Sequence, residues 1–297
     1  MRDSAEALRP LDLTVDVVRT RGFQGGESGA HEAIVFVHGN PGSSEDWRDL
    51  ATAAARIGRV VAVDMPGFGQ ADKPAKFDHS PAGYARFLSK LLSQLGIDQV
   101  HLVLHDFGGP WGLAWATENP TSVRSLALFN VGVPLGYRWH STAKLVRTPV
   151  LGEFLMAATT RKSFEGIMRR GGGTLPAGAI DRAWANFTPP TRRAAMKAYR
   201  SVADPATVGD TQAALLTAYR LPALVFWGEQ DGFVPVEVAE RQREVFDPIE
   251  IVRLPKAGHW AFLEEPALAE ARLVGFLEQQ VNARLLRLEK GLGWTKS

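Results

Sequence analysis

Short, largely apolar runs alternate along this chain with longer segments of helical character, and this alternation restricts the fold more than any other feature. The runs lie at residues 34–37, 59–63, 100–104, 125–129, 223–227 and 250–254. Apolar runs without polar alternation are typical of strands that are buried on both faces. Strands that alternate with helices predict an α/β fold, with a mostly parallel sheet covered by helices on both sides.

Helices are predicted between these runs and near the end of the chain, at residues 45–57, 81–95, 111–119 and 267–288. Two further features precede the first apolar run. Residues 11–19 alternate polar and apolar side chains, which predicts an early strand. Residues 22–29 are rich in glycine, which predicts a turn.

The alternation stops after residue 129 and resumes at residue 221. The intervening segment holds three helix-prone pieces, separated by Pro149, a run of three glycines and Pro189-Pro190. A helical insertion between two strands predicts a cap over the carboxyl edge of the sheet, where ligands bind in such folds. The predicted domains are a core of residues 1–132 and 221–297 and a helical cap of residues 133–220.

Composition excludes several classes of function. The chain has 297 residues, no cysteine and a net charge of +2, so thiol chemistry is excluded and no electrostatic reason exists for a nucleic-acid or membrane partner. The first residues contain no apolar stretch of the kind a signal peptide has, and no long apolar segment predicts a membrane span. We therefore expect a cytoplasmic protein. The oligomeric state is not readable from the sequence.

The end of the apolar run at residues 102–105 carries the strongest chemical signal. Asp106 follows the run, and Gly108 and Gly109 come before a helix-like segment. This layout is typical of a nucleophile elbow, a strained turn from strand to helix that usually raises a serine above the sheet. An aspartate there also suits a simple helix N-cap. As a nucleophile, however, a carboxylate would form an alkyl ester on the enzyme.

Three further motifs follow predicted strands. His38-Gly-Asn-Pro-Gly42 follows residues 34–37, an Asp-Gly turn containing Asp231 follows residues 223–227, and His259 follows residues 250–254. Each motif also has an ordinary interpretation as a turn, and a lone histidine is more often structural than catalytic.

Together these motifs resemble the haloalkane dehalogenase and epoxide hydrolase branch of the α/β-hydrolase fold family, over about residues 12–280. The order nucleophile, acid, histidine along the chain is that of the family. The resemblance implies that Asp106 attacks the substrate, that Asp231 orients His259 and that His259 activates water. Some dehalogenases place the acid after the preceding strand, but the residue there is Asn130, which cannot act as a charged acid.

The resemblance also implies an oxyanion hole. Its donors would be the backbone N–H groups of Asn40, in the turn that begins at His38, and of Phe107, the residue after Asp106. Backbone donors on tight turns are suited to this task because they are aimed before charge develops. Neither a metal site nor a cofactor-binding motif is present in the sequence, so we expect no cofactor.

The leaving group separates the two sub-families. Haloalkane dehalogenases hold the halide with side-chain N–H donors, usually an asparagine such as Asn40 and a tryptophan directly after the nucleophile. Here that second position is Phe107, whose ring cannot donate a hydrogen bond. The clamp is incomplete unless Trp139 or Trp184 from the cap replaces the missing donor.

Epoxide hydrolases protonate the departing alkoxide, typically with two cap tyrosines. Tyr199 resembles the second of these by its neighbours and by its distance from Asp231. The first would fall near Phe154, which lacks a hydroxyl, and Tyr137 is the other upstream tyrosine of the cap. Tyr199 also has an ordinary interpretation as a packed aromatic residue on a helix.

The sequence therefore predicts a hydrolase that acts on a small apolar or amphipathic organic molecule with water. Epoxide opening is favoured, because a single phenol can protonate an alkoxide, whereas a halide without a full clamp loses charge stabilisation. Three alternatives stay open. They are a haloalkane dehalogenase, a hydrolase or decarboxylase that opens β-lactones, and a catalytically silent receptor with the same fold.

Overall fold

The computed structural model of the protein describes residues 8–292, with side chains to residue 281. Eight strands form one sheet in the order β1-β2-β4-β3-β5-β6-β7-β8. The strands are β1 (Arg9–Val15), β2 (Val18–Gly25), β3 (Glu32–Val37), β4 (Arg59–Val63), β5 (Gln99–His105), β6 (Val123–Phe129), β7 (Ala223–Gly228) and β8 (Ile249–Leu254). All pairings from β4 to β8 are parallel, which confirms the predicted architecture.

The beginning of the sheet differs from the prediction. The expected single strand over residues 11–19 is a hairpin of β1 and β2, and β2 continues to Gly25 through much of the expected glycine-rich turn. The chain reverses at Asp16, which adopts a left-handed conformation with φ 55°. Asp-Val is a weak hairpin signal compared with Asn-Gly or Asp-Gly, so the turn was not apparent in the sequence.

Twelve α-helices surround the sheet within residues 8–292. They are α1 (Arg48–Ala54), α2 (Pro81–Gln94), α3 (Gly108–Glu118), α4 (Ser141–Arg147), α5 (Leu151–Ala158), α6 (Arg161–Arg170), α7 (Ala179–Asn186), α8 (Pro189–Ser201), α9 (Pro205–Leu216), α10 (Glu237–Arg241), α11 (Ala261–Glu264) and α12 (Pro266–Leu292). The predicted core helices correspond to α1, α2, α3 and α12. None of the helices in this part of the chain is long and apolar enough to cross a membrane.

The segment between β6 and β7 contains six helices, α4 to α9, where the sequence predicted three helix-prone pieces. The additional boundaries come from capping residues rather than from the prolines and glycines that were used as breakers. The side chain of Thr160 caps α6, and that of Asp204 caps α9 ahead of Pro205. We call residues 133–220 the helical insertion.

The sheet separates two apolar layers of the core. Along β3, Val35 and Val37 belong to one layer, while Ile34 and Phe36 belong to the other. Successive side chains of a strand point to opposite faces, so a strand with apolar residues at every position packs on both sides. This packing on both faces explains why the apolar runs in the sequence located the central strands so well. It also holds in place the carboxyl ends of these strands, from which the candidate active site is built.

Candidate active site

Asp106 occupies a sharp turn between β5 and α3. Its φ is 49°, a left-handed conformation that is uncommon for a residue with a side chain. Two glycines make the turn possible. A Cβ on residue 39 would overlap the side chain of Asp106, and a Cβ on residue 108 would overlap the carbonyl oxygen of Val37 at the end of β3. The turn therefore has the elbow geometry that the sequence predicted.

The peptide between Gly39 and Asn40 lies directly against this carboxylate. The backbone N–H of Asn40 donates to Asp106 Oδ1 at 2.7 Å. The carbonyl of the same peptide, that of Gly39, lies 2.8 Å from His38 Nδ1, and His38 Nε2 accepts the N–H of Met65 at 2.9 Å. Because Nε2 accepts, the neutral ring of His38 carries its proton on Nδ1 and donates it to Gly39. His38 thus holds the orientation of the peptide whose N–H meets Asp106.

His259 links Asp106 to a second carboxylate. Its Nε2 lies 3.3 Å from Asp106 Oδ2, and its Nδ1 lies 2.7 Å from Asp231 Oδ2. The side chains of His259 and Asp231 are almost completely buried. The backbone of His259 is held as well, since its N–H donates to Gly171 at 2.7 Å and its carbonyl oxygen lies 3.0 Å from His105 Nε2.

The two carboxylates control the charge of His259. Burial by itself lowers the pKa of His259, but the negative charges of Asp231 and Asp106 and their hydrogen bonds raise it to about 10. For Asp106 the effect of burial has the opposite sign and would raise its pKa. The hydrogen bond and positive charge of His259 nevertheless hold the pKa of Asp106 below its ordinary value. At neutral pH His259 is therefore an imidazolium beside the Asp106 carboxylate.

Asn130 fixes Asp231, a role that the sequence did not reveal. Asn130 lies at the end of β6 in a left-handed conformation (φ 47°) and is completely buried. Its Nδ2 donates to Asp231 Oδ2 at 2.9 Å, and the backbone N–H groups of Phe233 and Val234 donate to Asp231 Oδ1 at 2.7 and 3.0 Å. Three donors and His259 therefore surround the Asp231 carboxylate and hold it in one orientation.

Asp106 faces two cavities. The larger has a volume of about 570 Å³, and the smaller about 80 Å³. Four residues border both: Asp106, His140, Tyr199 and Phe233. Apolar side chains of the helical insertion form most of the remaining walls. The arrangement suits an apolar molecule placed with its reacting carbon beside Asp106.

Tyr199 is the predicted tyrosine that borders both cavities together with Asp106. Its ring meets Phe107 edge-on, with centroids 4.7 Å apart, and its hydroxyl interacts with the side chain of Asn40. Burial and the charge of Asp106 raise the pKa of Tyr199 well above its ordinary value, so the phenol keeps its proton. Tyr137 lines the smaller cavity, but its hydroxyl donates to the carbonyl of Phe233 at 3.2 Å.

Of three candidate site residues in the helical insertion, Trp139 lines a cavity, whereas Trp184 and Phe154 do not. Trp139 lines the smaller cavity, but its indole N–H is already bonded to the carbonyl of Val202 at 3.1 Å, so it does not complete a halide clamp. Trp184 packs beneath the guanidinium of Arg192 and lines neither cavity. Phe154 is 67% exposed and also lines neither. The directions of these three side chains depend on tertiary packing in the insertion, which the spacing of residues along the chain does not reveal.

His140 borders both cavities, and the sequence analysis missed it. Its Nδ1 accepts the backbone N–H of Ala143 at 3.2 Å and thereby caps α4. Burial lowers the pKa of His140 to about 4, so the ring is neutral and carries its proton on Nε2. A histidine directly before a helix start, next to a predicted pocket tryptophan, was the available signal.

The N–H of Phe107 finds no acceptor among the described residues and stays available to a ligand.

Comparisons with known proteins identify the family of the chain. Residues 32–266 match the family model of the alpha/beta hydrolase fold. A haloalkane dehalogenase from Bradyrhizobium diazoefficiens is 30% identical over 272 residues, covering 79% of this chain and 84% of that protein. A haloalkane dehalogenase from Agrobacterium fabrum is 40% identical over 103 residues, 35% of this chain and 34% of that protein.

Solved structures show the same fold. A haloalkane dehalogenase loop variant from Bradyrhizobium elkanii superposes with a TM-score of 0.80 at 24% identity, covering 93% of this chain and 99% of that one. The Cif epoxide hydrolase from Acinetobacter nosocomialis superposes with a TM-score of 0.77 at 19% identity, covering 91% and 89%. The chain belongs to the α/β-hydrolase family. Within that family it falls in the branch of the haloalkane dehalogenases and epoxide hydrolases.

Proposed function

We propose that this hydrolase opens epoxides to diols through a covalent ester on Asp106. The observation that carries the proposal is the partly buried phenol of Tyr199, which borders both cavities together with Asp106. A protonated phenol at this position can donate to the oxygen that leaves an epoxide carbon. The neutral ring of His140 adds a second candidate donor at the same wall, through its Nε2–H.

In the first step, a carboxylate oxygen of Asp106 attacks an epoxide carbon and the carbon–oxygen bond breaks. The alkoxide takes the proton of Tyr199, which leaves an ester on Asp106 and a phenolate on Tyr199. The imidazolium of His259 then supplies its excess proton to the phenolate through solvent. This transfer becomes favourable because esterification removes the negative charge of Asp106, one of the groups that raise the pKa of His259.

In the second step, neutral His259 accepts a proton from water, and the hydroxide attacks the ester carbonyl. The N–H groups of Asn40 and Phe107 stabilise the oxyanion, since the first already meets Asp106 Oδ1 and the second has no acceptor among the described residues. Collapse of the intermediate releases the diol and restores the Asp106 carboxylate and the His259 imidazolium. Asp231 holds His259 in position throughout.

Haloalkane hydrolysis is the second candidate. The relatives at 30% and 40% identity are haloalkane dehalogenases, and Asn40 offers one side-chain amide near the leaving group. Phe107 contributes no side-chain donor, and the Trp139 N–H is bonded to Val202. A leaving halide would therefore receive no hydrogen bond from the side chain of Phe107 or from Trp139, whereas an alkoxide would receive a proton.

A substrate panel separates the two. The purified protein is incubated with terminal and internal epoxides and with haloalkanes of matched chain length, and diol, alcohol and free halide are measured, with Asp106→Asn as the control. Diol formation that the control lacks supports the proposal. Halide release without diol formation would assign the dehalogenase reaction instead, and turnover of neither class would refute both.

A further inference from the structure

The net charge of the chain conceals an uneven distribution. The helical insertion carries thirteen Lys and Arg against five Asp and Glu, a net charge of +8. The rest of the chain carries 21 against 27, a net charge of −6. Such an asymmetry within one chain points to a polyanionic surface as a partner for the basic part.

The same insertion exposes most of the large apolar side chains found on the described surface. Six of the eight such residues lie in it, and four of them fall between residues 145 and 154, at the turn that joins α4 to α5. We call this segment the apolar turn. Its members are Leu145 (47% exposed), Val150 (81%), Leu151 (39%) and Phe154 (67%).

Val150 marks the tip of the apolar turn with an unusual backbone conformation. Its φ is 66°, which is an outlier for a β-branched residue. Residues held in such conformations cost free energy and tend to persist where they serve a function. Here the conformation keeps the apolar side chain of Val150 exposed to water, so burial within the protein does not stabilise it. An apolar phase outside the protein would give that side chain a favourable environment.

Basic side chains accompany the apolar turn on the helical insertion. Lys144 is exposed on α4 next to Leu145, and the neighbouring helix α8 carries exposed Arg193 and Lys197, of which Lys197 donates to the carbonyl of Ala75. Lys144 and Arg193 have no ion-pair partner among the described side chains. Apolar residues with surrounding cations are the pattern by which helices bind at the headgroup level of an anionic membrane.

We propose that the helical insertion binds the surface of an anionic lipid membrane through the apolar turn and these basic residues. The proposal does not depend on the reaction at Asp106. It does place the large cavity beside the bilayer, because Leu145 of the apolar turn and Val146, Leu155 and Met156 of the same two helices line that cavity. A nucleic acid would satisfy the cations but would leave the apolar turn in water, so a membrane fits both features.

The test measures binding of the whole protein to vesicles by flotation. One set contains phosphatidylcholine alone, and the other an equal mixture of phosphatidylcholine and phosphatidylglycerol. Phe154→Ser removes a large apolar side chain and Lys144→Glu reverses one charge. Each should weaken binding to the mixed vesicles roughly tenfold or more. Val17→Ser, at a residue 81% exposed outside the insertion, and Arg56→Glu are matched controls that should bind as the unmodified protein does.

We expect binding to the mixed vesicles only, with a decrease as salt is added. Absence of binding to both sets would overturn the proposal, and so would equal losses in the test and control variants. Two further measurements examine other occupants. Sedimentation that shows a dimer dissociated by Phe154→Ser would assign the apolar turn to a second copy of the chain. Binding of duplex DNA without vesicle binding would assign the basic residues to nucleic acid.

Discussion

The backbone conformation of Asp106 shows how single residues build this site. A left-handed aspartate costs free energy of order 1–3 kcal/mol, and it persists only where its surroundings fix it. Here Gly39 and Gly108 leave the space that the turn requires, and the N–H of Asn40 meets the raised carboxylate. The Asp106 carboxylate is thus oriented by the fold before any substrate is bound.

Tyr199→Phe distinguishes the two leaving groups. The substitution keeps the ring and deletes only the hydroxyl, so the packing against Phe107 should survive. Loss of a general acid typically costs about 10²–10⁴-fold, so ester formation from an epoxide should slow by that amount in single-turnover measurements. A halide leaves without a proton, so haloalkane turnover should hardly change. Unchanged epoxide opening would reduce Tyr199 to a packing residue.

Substitution of His38 should affect the two steps of the proposed reaction, ester formation and ester hydrolysis, to different extents. His38→Leu removes the donor that orients the Gly39–Asn40 peptide. In the proposed mechanism that peptide stabilises the oxyanion of ester hydrolysis, so hydrolysis should slow by about 10–10²-fold more than ester formation, and the ester should accumulate. His38→Asn retains a donor near the position of Nδ1 and should recover much of the hydrolysis rate. A merely structural role for His38 would slow both steps in the same proportion.

At the scale of elements, the sequence located the parallel strands because they are buried on both faces and carry an unbroken apolar signal. Strands β3 to β8 contain the predicted runs, with ends extended by at most two residues. The β1–β2 hairpin and the six helices of the insertion were missed. Their boundaries depend on one left-handed residue, Asp16, and on side-chain caps, which leave weaker traces in sequence than glycine and proline do.

The site was predictable as far as its residues follow strands. Asp106 directly follows strand β5, and Asp231 and His259 lie in the loops that follow β7 and β8, so all three lie at the same edge of the sheet. The structure brings all three together. The residues that come from the insertion were not predictable in the same way, as the missed His140 and the exposed Phe154 show, because helix directions there depend on tertiary packing.

Gly108→Ala tests the contact between α3 and β3. A Cβ at residue 108 would overlap the carbonyl oxygen of Val37, which is backbone and cannot move aside cheaply. We expect a loss of about 1–3 kcal/mol in the free energy of unfolding, together with loss of activity as the elbow shifts. Gly275→Ala in α12 is the matched control. A Cβ there meets nothing within 4 Å, so this variant should gain roughly 0.5–1 kcal/mol by urea denaturation.

At the scale of the whole molecule, buried histidines link stability to pH. Burial lowers the pKa of His79 and His101 to about 4 and that of His105 to about 3. In the unfolded chain these rings have pKa values near 6.5, so between pH 6.5 and 4 the unfolded state binds protons that the folded state does not. Their contribution to stability is therefore lost as the pH falls through this range.

Two groups act in the opposite direction. Burial raises the pKa of Asp46 to about 7, so the folded state binds that proton below pH 7 while the unfolded state does not until near pH 4. His259, with a pKa of about 10, keeps its proton in the folded state over the whole acidic range, and its stabilising contribution is lost only as the pH rises from about 6.5 to 10. His79, His101 and His105, together with His140, whose pKa burial also lowers to about 4, outweigh these two opposing groups.

We therefore predict that the free energy of unfolding falls by roughly 2 kcal/mol or more between pH 7 and pH 5. Urea denaturation across this range measures the slope, which counts the protons taken up on unfolding. His101→Gln should reduce the slope by about one proton, whatever it does to stability at pH 7. Stability that is flat or rises toward pH 5 would show that the rings do not stay neutral when buried.

The central claim is a covalent ester on Asp106, and His259→Gln tests it most directly. Attack by the carboxylate does not require the base, whereas hydrolysis of the ester does, so the variant should stop at the intermediate. Incubation with an epoxide should increase the intact mass by that of the whole epoxide, on the peptide that contains Asp106. The double variant with Asp106→Asn should show no adduct. An unmodified His259→Gln protein that demonstrably binds the epoxide, or an adduct on another residue, would contradict the account.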